Sequence, residues 1–189
     1  ASLSETNATL STTGTLTVTD VDISNTVSMS VEKIAFAGVN PYLTNEQLKA
    51  MLSLSPTSVA ANGEQHNVAW TFNSNPQAFD YLQAGEALTL TYTVKATDSD
   101  LGTDTHTVTI NIVGTNDLAV IVPVDVTGSV TERDPPSNVL LTDSGSMNFS
   151  DVDLKDGHTV NVLPTQGVLG QLTAIVGSDT TGTGTGGVV

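Results

Sequence analysis

The strongest constraint on this chain is a segment written twice, 131 residues apart. Gly14-Thr15-Leu16-Thr17-Val18-Thr19-Asp20-Val21-Asp22 returns as Gly145-Ser146-Met147-Asn148-Phe149-Ser150-Asp151-Val152-Asp153. Leu10 and Leu141 keep the same spacing. Further upstream, Glu5 in Ser2-Leu3-Ser4-Glu5 matches Glu132 in Ser129-Val130-Thr131-Glu132 at an offset of 127, so the second copy carries four additional residues around Asp134-Pro135-Pro136-Ser137. A period this long belongs to whole domains in tandem, not to a solenoid of short units. The 189 residues therefore read as a complete domain over 1–118 and the N-terminal portion of a second, truncated copy over 119–189. Counterparts of Trp70, Phe72, Leu88, Leu90, Tyr92, Val94, Val108 and Ile110 have no place in the second copy, which makes it the weaker half.

Period-two alternation fills the first copy. Thr15 to Thr19, Val27-Ser28-Met29-Ser30-Val31, Ala87-Leu88-Thr89-Leu90-Thr91-Tyr92-Thr93-Val94 and Thr105-His106-Thr107-Val108-Thr109-Ile110 alternate apolar and hydroxyl residues. Asn67-Val68-Ala69-Trp70-Thr71-Phe72 follows a turn at Asn62-Gly63. Such runs are half-buried antiparallel strands, and several of them separated by turns make an all-β sandwich. One segment departs. Thr44, with Gln47 three residues on, forms a capping box ahead of Leu48, Met51 and Leu52 on one helical face, predicting a short inserted helix near 45–53 with Trp70 packed beneath it. In the second copy residues 169–176 are more strand-like.

The charge is lopsided: 20 acidic against 5 basic residues, a net −15. That balance excludes nucleic acid and anionic membrane surfaces as partners and favours cations. Cysteine is absent, so small domains in an oxidising compartment would need another staple, for which a bound metal serves. No apolar run reaches the length of a membrane span.

The acids cluster in the repeated segment. Residues i and i+2 of an extended strand point the same way, so Asp20 with Asp22, and Asp151 with Asp153, can aim at one point. Asn116 and Asp117 follow in a junction, and Asp98 sits in the turn Asp98-Ser99-Asp100-Leu101-Gly102. Calcium takes six to eight oxygen ligands from carboxylates, amides and carbonyls, and two such clusters in register favour it over solvated turn acids.

These residues resemble a known pattern. Ala96-Thr97-Asp98, Gly102, Gly114-Thr115-Asn116-Asp117 and Asp151-Val152-Asp153 are similar to the calcium-linker signature of cadherin repeats. GTLTVTDVD, FNSNPQAFDYLQAGEALTLTYTVKATDSD and VTINIVGTNDLAVI resemble the VCBS repeat of large bacterial RTX-type surface adhesins. The resemblance implies a cadherin-like, immunoglobulin-type antiparallel β-sandwich repeated in tandem, Ca2+ at the domain junctions, type I secretion to the bacterial cell surface, and a role in adhesion or biofilm. It places Glu5, Asp80, Asn116, Asp117, Asp151 and Asp153 at the junction inside the chain, and Asp20, Asp22 and Asp98 at the opposite pole of the first domain. The chain departs from the pattern at Leu118-Ala119, where the family favours Ala-Pro. It departs again at Leu82, where a cadherin places an acid, and at His158, which stands opposite Val27.

No catalytic constellation is written here: there is no Gly-x-Ser-x-Gly elbow, His-Glu-x-x-His or phosphate loop. His66, His106 and His158 read as surface or strand residues. The expectation is a non-enzymatic, calcium-stiffened extender repeat whose partners are neighbouring repeats of the same polypeptide. The alternative is a ligand-binding module of the same adhesin that grips a glycan or peptide, with a cell-surface glycan or protein as partner and Tyr42, Tyr81 and Tyr92 as a sugar platform.

Overall fold

In the computed structural model, which describes residues 1–39, 42–61, 67–133, 138–163, 166–167 and 169–189, the alternating runs become long strands. The turn at Asn62-Gly63, His66 and the insertion Asp134-Pro135-Pro136-Ser137 lie outside the described residues. The elements are β1 (Ser2–Ser4), β2 (Ser11–Leu16), β3 (Thr26–Gly38), α1 (Asn45–Ala50), β4 (Leu52–Ser55), β5 (Ser58–Ala60), β6 (Val68–Asn73), β7 (Ala87–Thr97), β8 (Thr103–Val113), β9 (Val120–Pro123), β10 (Met147–Ser150) and β11 (Gly187–Val188). The fold is all-β, with one short helix among the described residues. The chain divides into two compact units, Ala1–Asn116 and Asp117–Val189.

In unit 1 a five-stranded sheet, ordered β1-β8-β7-β3-β5, faces a three-stranded sheet, ordered β2-β6-β4. All pairings are antiparallel except β1 on β8, which is parallel. Period two explains the filling. Leu88, Leu90, Tyr92 and Val94 of β7, and Val108, Ile110 and Ile112 of β8, are buried, while the threonines between them point away. From the facing sheet Leu52 and Phe72 enter the same core, and the Phe72 and Tyr92 rings meet edge-on at 6.3 Å. Each such side chain contributes about 1.5–3 kcal/mol by leaving water.

The helix forms for the reason its sequence gives. The Thr44 hydroxyl accepts from the Gln47 N–H while the Gln47 side chain accepts from the Thr44 N–H, so two amide donors at the helix start are satisfied. Leu48, Met51 and Leu52 are all buried. The helix ends at Ala50, not near 53, because Leu52 already pairs with Phe72 as the start of β4. Two further boundaries differ from the alternation. The first repeated segment is strand only to Leu16, with the Asn67 side chain bonding the backbone N–H and C=O of Val18 in place of a ladder. β3 runs on to Gly38 through a register shift between Val31 and Lys33, which breaks the alternation that marks a strand. Trp70 is half-buried, its ring against Gly14, where a Cβ would come within 2.4 Å of it.

Unit 2 carries a three-stranded sheet, ordered β11-β10-β9. Among its described residues Phe149 is the one buried large hydrophobic side chain, while Leu140, Leu163, Leu169, Leu172 and Ile175 are exposed. The strand-like stretch 169–176 forms no strand among its described residues; Leu169, Leu172 and Ile175 have no facing sheet to bury them. Among the described residues no helix is long and apolar enough to cross a membrane.

Candidate functional site

The repeated Asp-x-Asp folds into the same local structure both times. In unit 1 the Asp22 N–H donates to Asp20 Oδ1 at 2.9 Å, and the Asn25 N–H donates to the Asp22 carbonyl at 2.8 Å. In unit 2 the Asp153 N–H donates to Asp151 Oδ1 at 3.0 Å, and the Asp156 N–H to the Asp153 carbonyl at 3.1 Å. A short carboxylate reaching its own backbone two residues on is an Asx turn. The i, i+2 carboxylates are thus tied through that turn, not held on one strand face.

Burial separates the two copies. Asp20 is half-buried and Asp22 exposed, whereas Asp151 is 4% and Asp153 0% exposed. Asp153 Oδ2 accepts from the Asp117 N–H at 2.7 Å, and its Oδ1 is buried with no hydrogen-bond partner. Burial, reinforced by the carboxylates of Asp117, Asp151 and Asp156 and opposed by the Asp117 N–H, pushes the Asp153 carboxyl up to about 6. A buried carboxylate with an unsatisfied oxygen is costly.

Two residues absent from the sequence-based set complete this cluster. His158 Nε2 lies 3.0 Å from Asp151 Oδ2 and its Nδ1 lies 2.7 Å from Asp179 Oδ1. The ring packs on Phe149 at 4.9 Å. The hydrogen bonds to Asp151 and then Asp179 raise the His158 pKa. The bond from the His158 N–H, and then the one from its ring, hold the Asp179 carboxyl well below the ordinary carboxylate range. His158 is therefore no ordinary surface histidine. Its substitution for Val27 across the repeat was the sequence signal. Asp179 had none, because it lies 21 residues away in a Gly/Thr-rich stretch.

The remaining predicted residues fall at the two poles of unit 1. Glu5 is 1% and Asp80 5% exposed. Glu5 Oε2 accepts from the Thr115 hydroxyl at 2.8 Å, which sets it beside Asn116. A Cβ on Gly114 would lie within 2.3 Å of the Leu82 and Gln83 carbonyls, so the loop carrying Asp80 reaches the same pole. At the other pole Asp98 Oδ1 accepts from the Asp100 and Gly102 N–H groups at 2.9 and 2.8 Å, and the Asn25 amide donates to Asp100 at 3.2 Å. Asp20 and Asp98 line one cleft there. Glu132 is exposed and does not reproduce the burial of Glu5.

Every predicted donor is an oxygen, which suits a hard cation such as calcium. Among the described residues, no three His, Asp or Glu side chains are assembled that could hold a metal ion. In unit 2 Asp151 Oδ1 accepts from the Asp153 N–H and its Oδ2 faces His158, each oxygen keeping a further lone pair, while Asp153 Oδ1 is buried with no hydrogen-bond partner. No protein-family model matches the chain, and no curated protein sequence matches it.

Proposed function

We propose that this chain is a calcium-binding extender repeat of a bacterial cell-surface adhesin, built from cadherin-like β-sandwich repeats in tandem and not an enzyme. The observation that carries the reading is Asp153: a fully buried carboxylate, one oxygen without a partner, in the turn that recurs at Asp20 and Asp22. A cation there replaces the missing partner and neutralises the crowded acids Asp117, Asp151 and Asp156. Asp117, Asp151 and Asp153 would hold it in unit 2. Glu5, Asp80 and Asn116 at one pole of unit 1, and Asp20, Asp22 and Asp98 at the other, supply the donors through which neighbouring repeats are stiffened. The net charge of −15 is then balanced by bound ions at the surface of the cell. Tyr42, exposed and edge-on to Tyr81 at 5.0 Å, is the one feature favouring a glycan- or protein-gripping module, and a single exposed ring is a small platform.

Thermal unfolding tests the reading. Calcium at ten times its dissociation constant stabilises by about 1.4 kcal/mol per site. Magnesium, which demands tight octahedral geometry, should do less. A melting curve unmoved by calcium and by chelator rules the proposal out.

A further inference from the structure

Residues 179–187, rich in Gly and Thr, have the composition of a flexible linker. They are nevertheless bonded to the turn at 151–156 along their length. Asp179 grips His158 twice, its Oδ2 accepting from the backbone N–H at 3.0 Å and its Oδ1 lying 2.7 Å from ring Nδ1. The Thr181 hydroxyl donates to the Asp156 carbonyl and the Gly182 N–H to the Leu154 carbonyl, both at 2.6 Å. The Asp151 N–H donates to the Gly184 carbonyl at 3.1 Å. Gly187 then pairs with Phe149 and lies against its ring, where a Cβ would come within 2.5 Å. Thr180 holds the stretch in a bend of its own, its carbonyl accepting from the Thr183 and Gly184 N–H groups at 2.9 Å.

These bonds fix the atoms of the acidic turn. The Gly184 carbonyl holds the Asp151 backbone, and His158, itself set by Asp179, faces Asp151 Oδ2 at 3.0 Å. Packing supplies little of this order, because Phe149 is the one buried large hydrophobic side chain of unit 2 among its described residues. In unit 1 the same turn is followed by Val27 where unit 2 has His158, and a valine has no nitrogen with which to make the clasp. There Asp22 is exposed, whereas Asp153 is sealed and its Oδ1 has no partner. That oxygen, and not the crowd of acids around it, marks a place for a cation.

We propose that residues 179–187 are a strap that sets the cation site of unit 2, so that strap closure and cation binding favour each other. The inference rests on the calcium reading above for the identity of the ion. Its physical basis is a shared element: the closed strap and the cation each select the ordered turn at 151–156. Such coupling is reciprocal, so an open strap weakens binding by the same factor by which the ion favours the closed one. Asp179 and His158 are positioning residues that act on the ion through Asp151, as the hydrogen-bond partners of ligating carboxylates do. Gly184 is where the strap is most easily loosened. It is buried with φ +72°, and a Cβ there would be strained and would press on the Asp151 carbonyl and on Leu154 at 3.3 Å.

Hydrogen exchange on the whole chain, titrated with calcium at fixed pH, tests the coupling. The amides of Asp151 and Gly182 report strap closure, and that of Asp153 reports the turn. The expected result is protection that rises at all three with one calcium midpoint. G184A and T181V alter the strap and no ligand of the ion. Each should move that midpoint to severalfold higher calcium, and T181V keeps the test valid where G184A disrupts the unit outright. Calcium-dependent protection at Asp153 with Asp151 and Gly182 unmoved overturns the inference and leaves the calcium reading standing. Midpoints equal in wild type and both variants do the same. No response at any of the three amides overturns the inference and the calcium reading of unit 2 together.

Discussion

The backbone N–H of Asp117 donates to one oxygen of Asp153 at 2.7 Å, while the other oxygen of the same buried carboxylate has no hydrogen-bond partner. One side of the group is organised by the chain and the other makes no hydrogen bond. Two expectations about unit 2 follow from that asymmetry and from the histidine beside it.

Asp153→Asn removes the buried charge and keeps the shape. In chelator at neutral pH the variant should be more stable than wild type, by on the order of 1–3 kcal/mol, since each unit of pKa displacement is worth about 1.4 kcal/mol. Its stabilisation by calcium should fall sharply. Paired melts with and without calcium check both halves. An Asn variant that is weaker in chelator and equally responsive to calcium would show that Asp153 is simply structural.

Without divalent cations, unit 2 should lose stability as pH rises from about 4 to 8. Asp153 has a folded pKa of about 6, above its ordinary 3.8. The folded state therefore holds its proton longer, and the penalty grows from pH 3.8 and is complete above 6. His158 is also raised, so its contribution is complete below 6.5 and disappears as pH climbs through its folded pKa. Both act in the same direction. Denaturant titrations at several pH values, with His158→Gln removing the upper part of the trend, check this. Stability flat or rising over that range contradicts it.

Amides of Asn161, Val162, Leu172, Thr173 and Ile175 should exchange orders of magnitude faster than those of Leu88, Leu90 and Tyr92. The first set lies outside strands with exposed apolar neighbours such as Leu163. The second sits in the central strand of a filled sandwich. Native-state exchange in a dilute sample decides it, and equal protection would mean that unit 2 has a core of its own.

Tyr92→Phe should cost about 1–1.5 kcal/mol. The Tyr92 hydroxyl, fully buried, donates to the Leu48 carbonyl at 2.9 Å, tying the central strand to α1. Burial also pushes its pKa far up, so the ring stays neutral and donating at any working pH. Chemical denaturation of the pair checks the cost, and no loss would mean that the helix takes nothing from this bond.

What the sequence determined by itself is whatever depends on neighbours within a few residues. Alternation in 87–94 makes β7, because period two puts Leu88, Leu90 and Tyr92 on one face. Thr44 and Gln47 cap α1, because the bonds span three residues. Asp20-Val21-Asp22 and Asp151-Val152-Asp153 fold into the same turn, because the carboxylate closes it locally. Tertiary structure decided which of those acids are buried. Glu5 is buried against Thr115 and Glu132 is exposed; Asp153 is sealed and Asp22 is open, although the local sequences match. It also brought Asp179 to His158, joined β3 to β7 beyond the reach of alternation, and set β9 and β11 on either side of β10. Burial and pairing are set by segments distant in the chain, so one local pattern can meet two different surroundings and become two different sites.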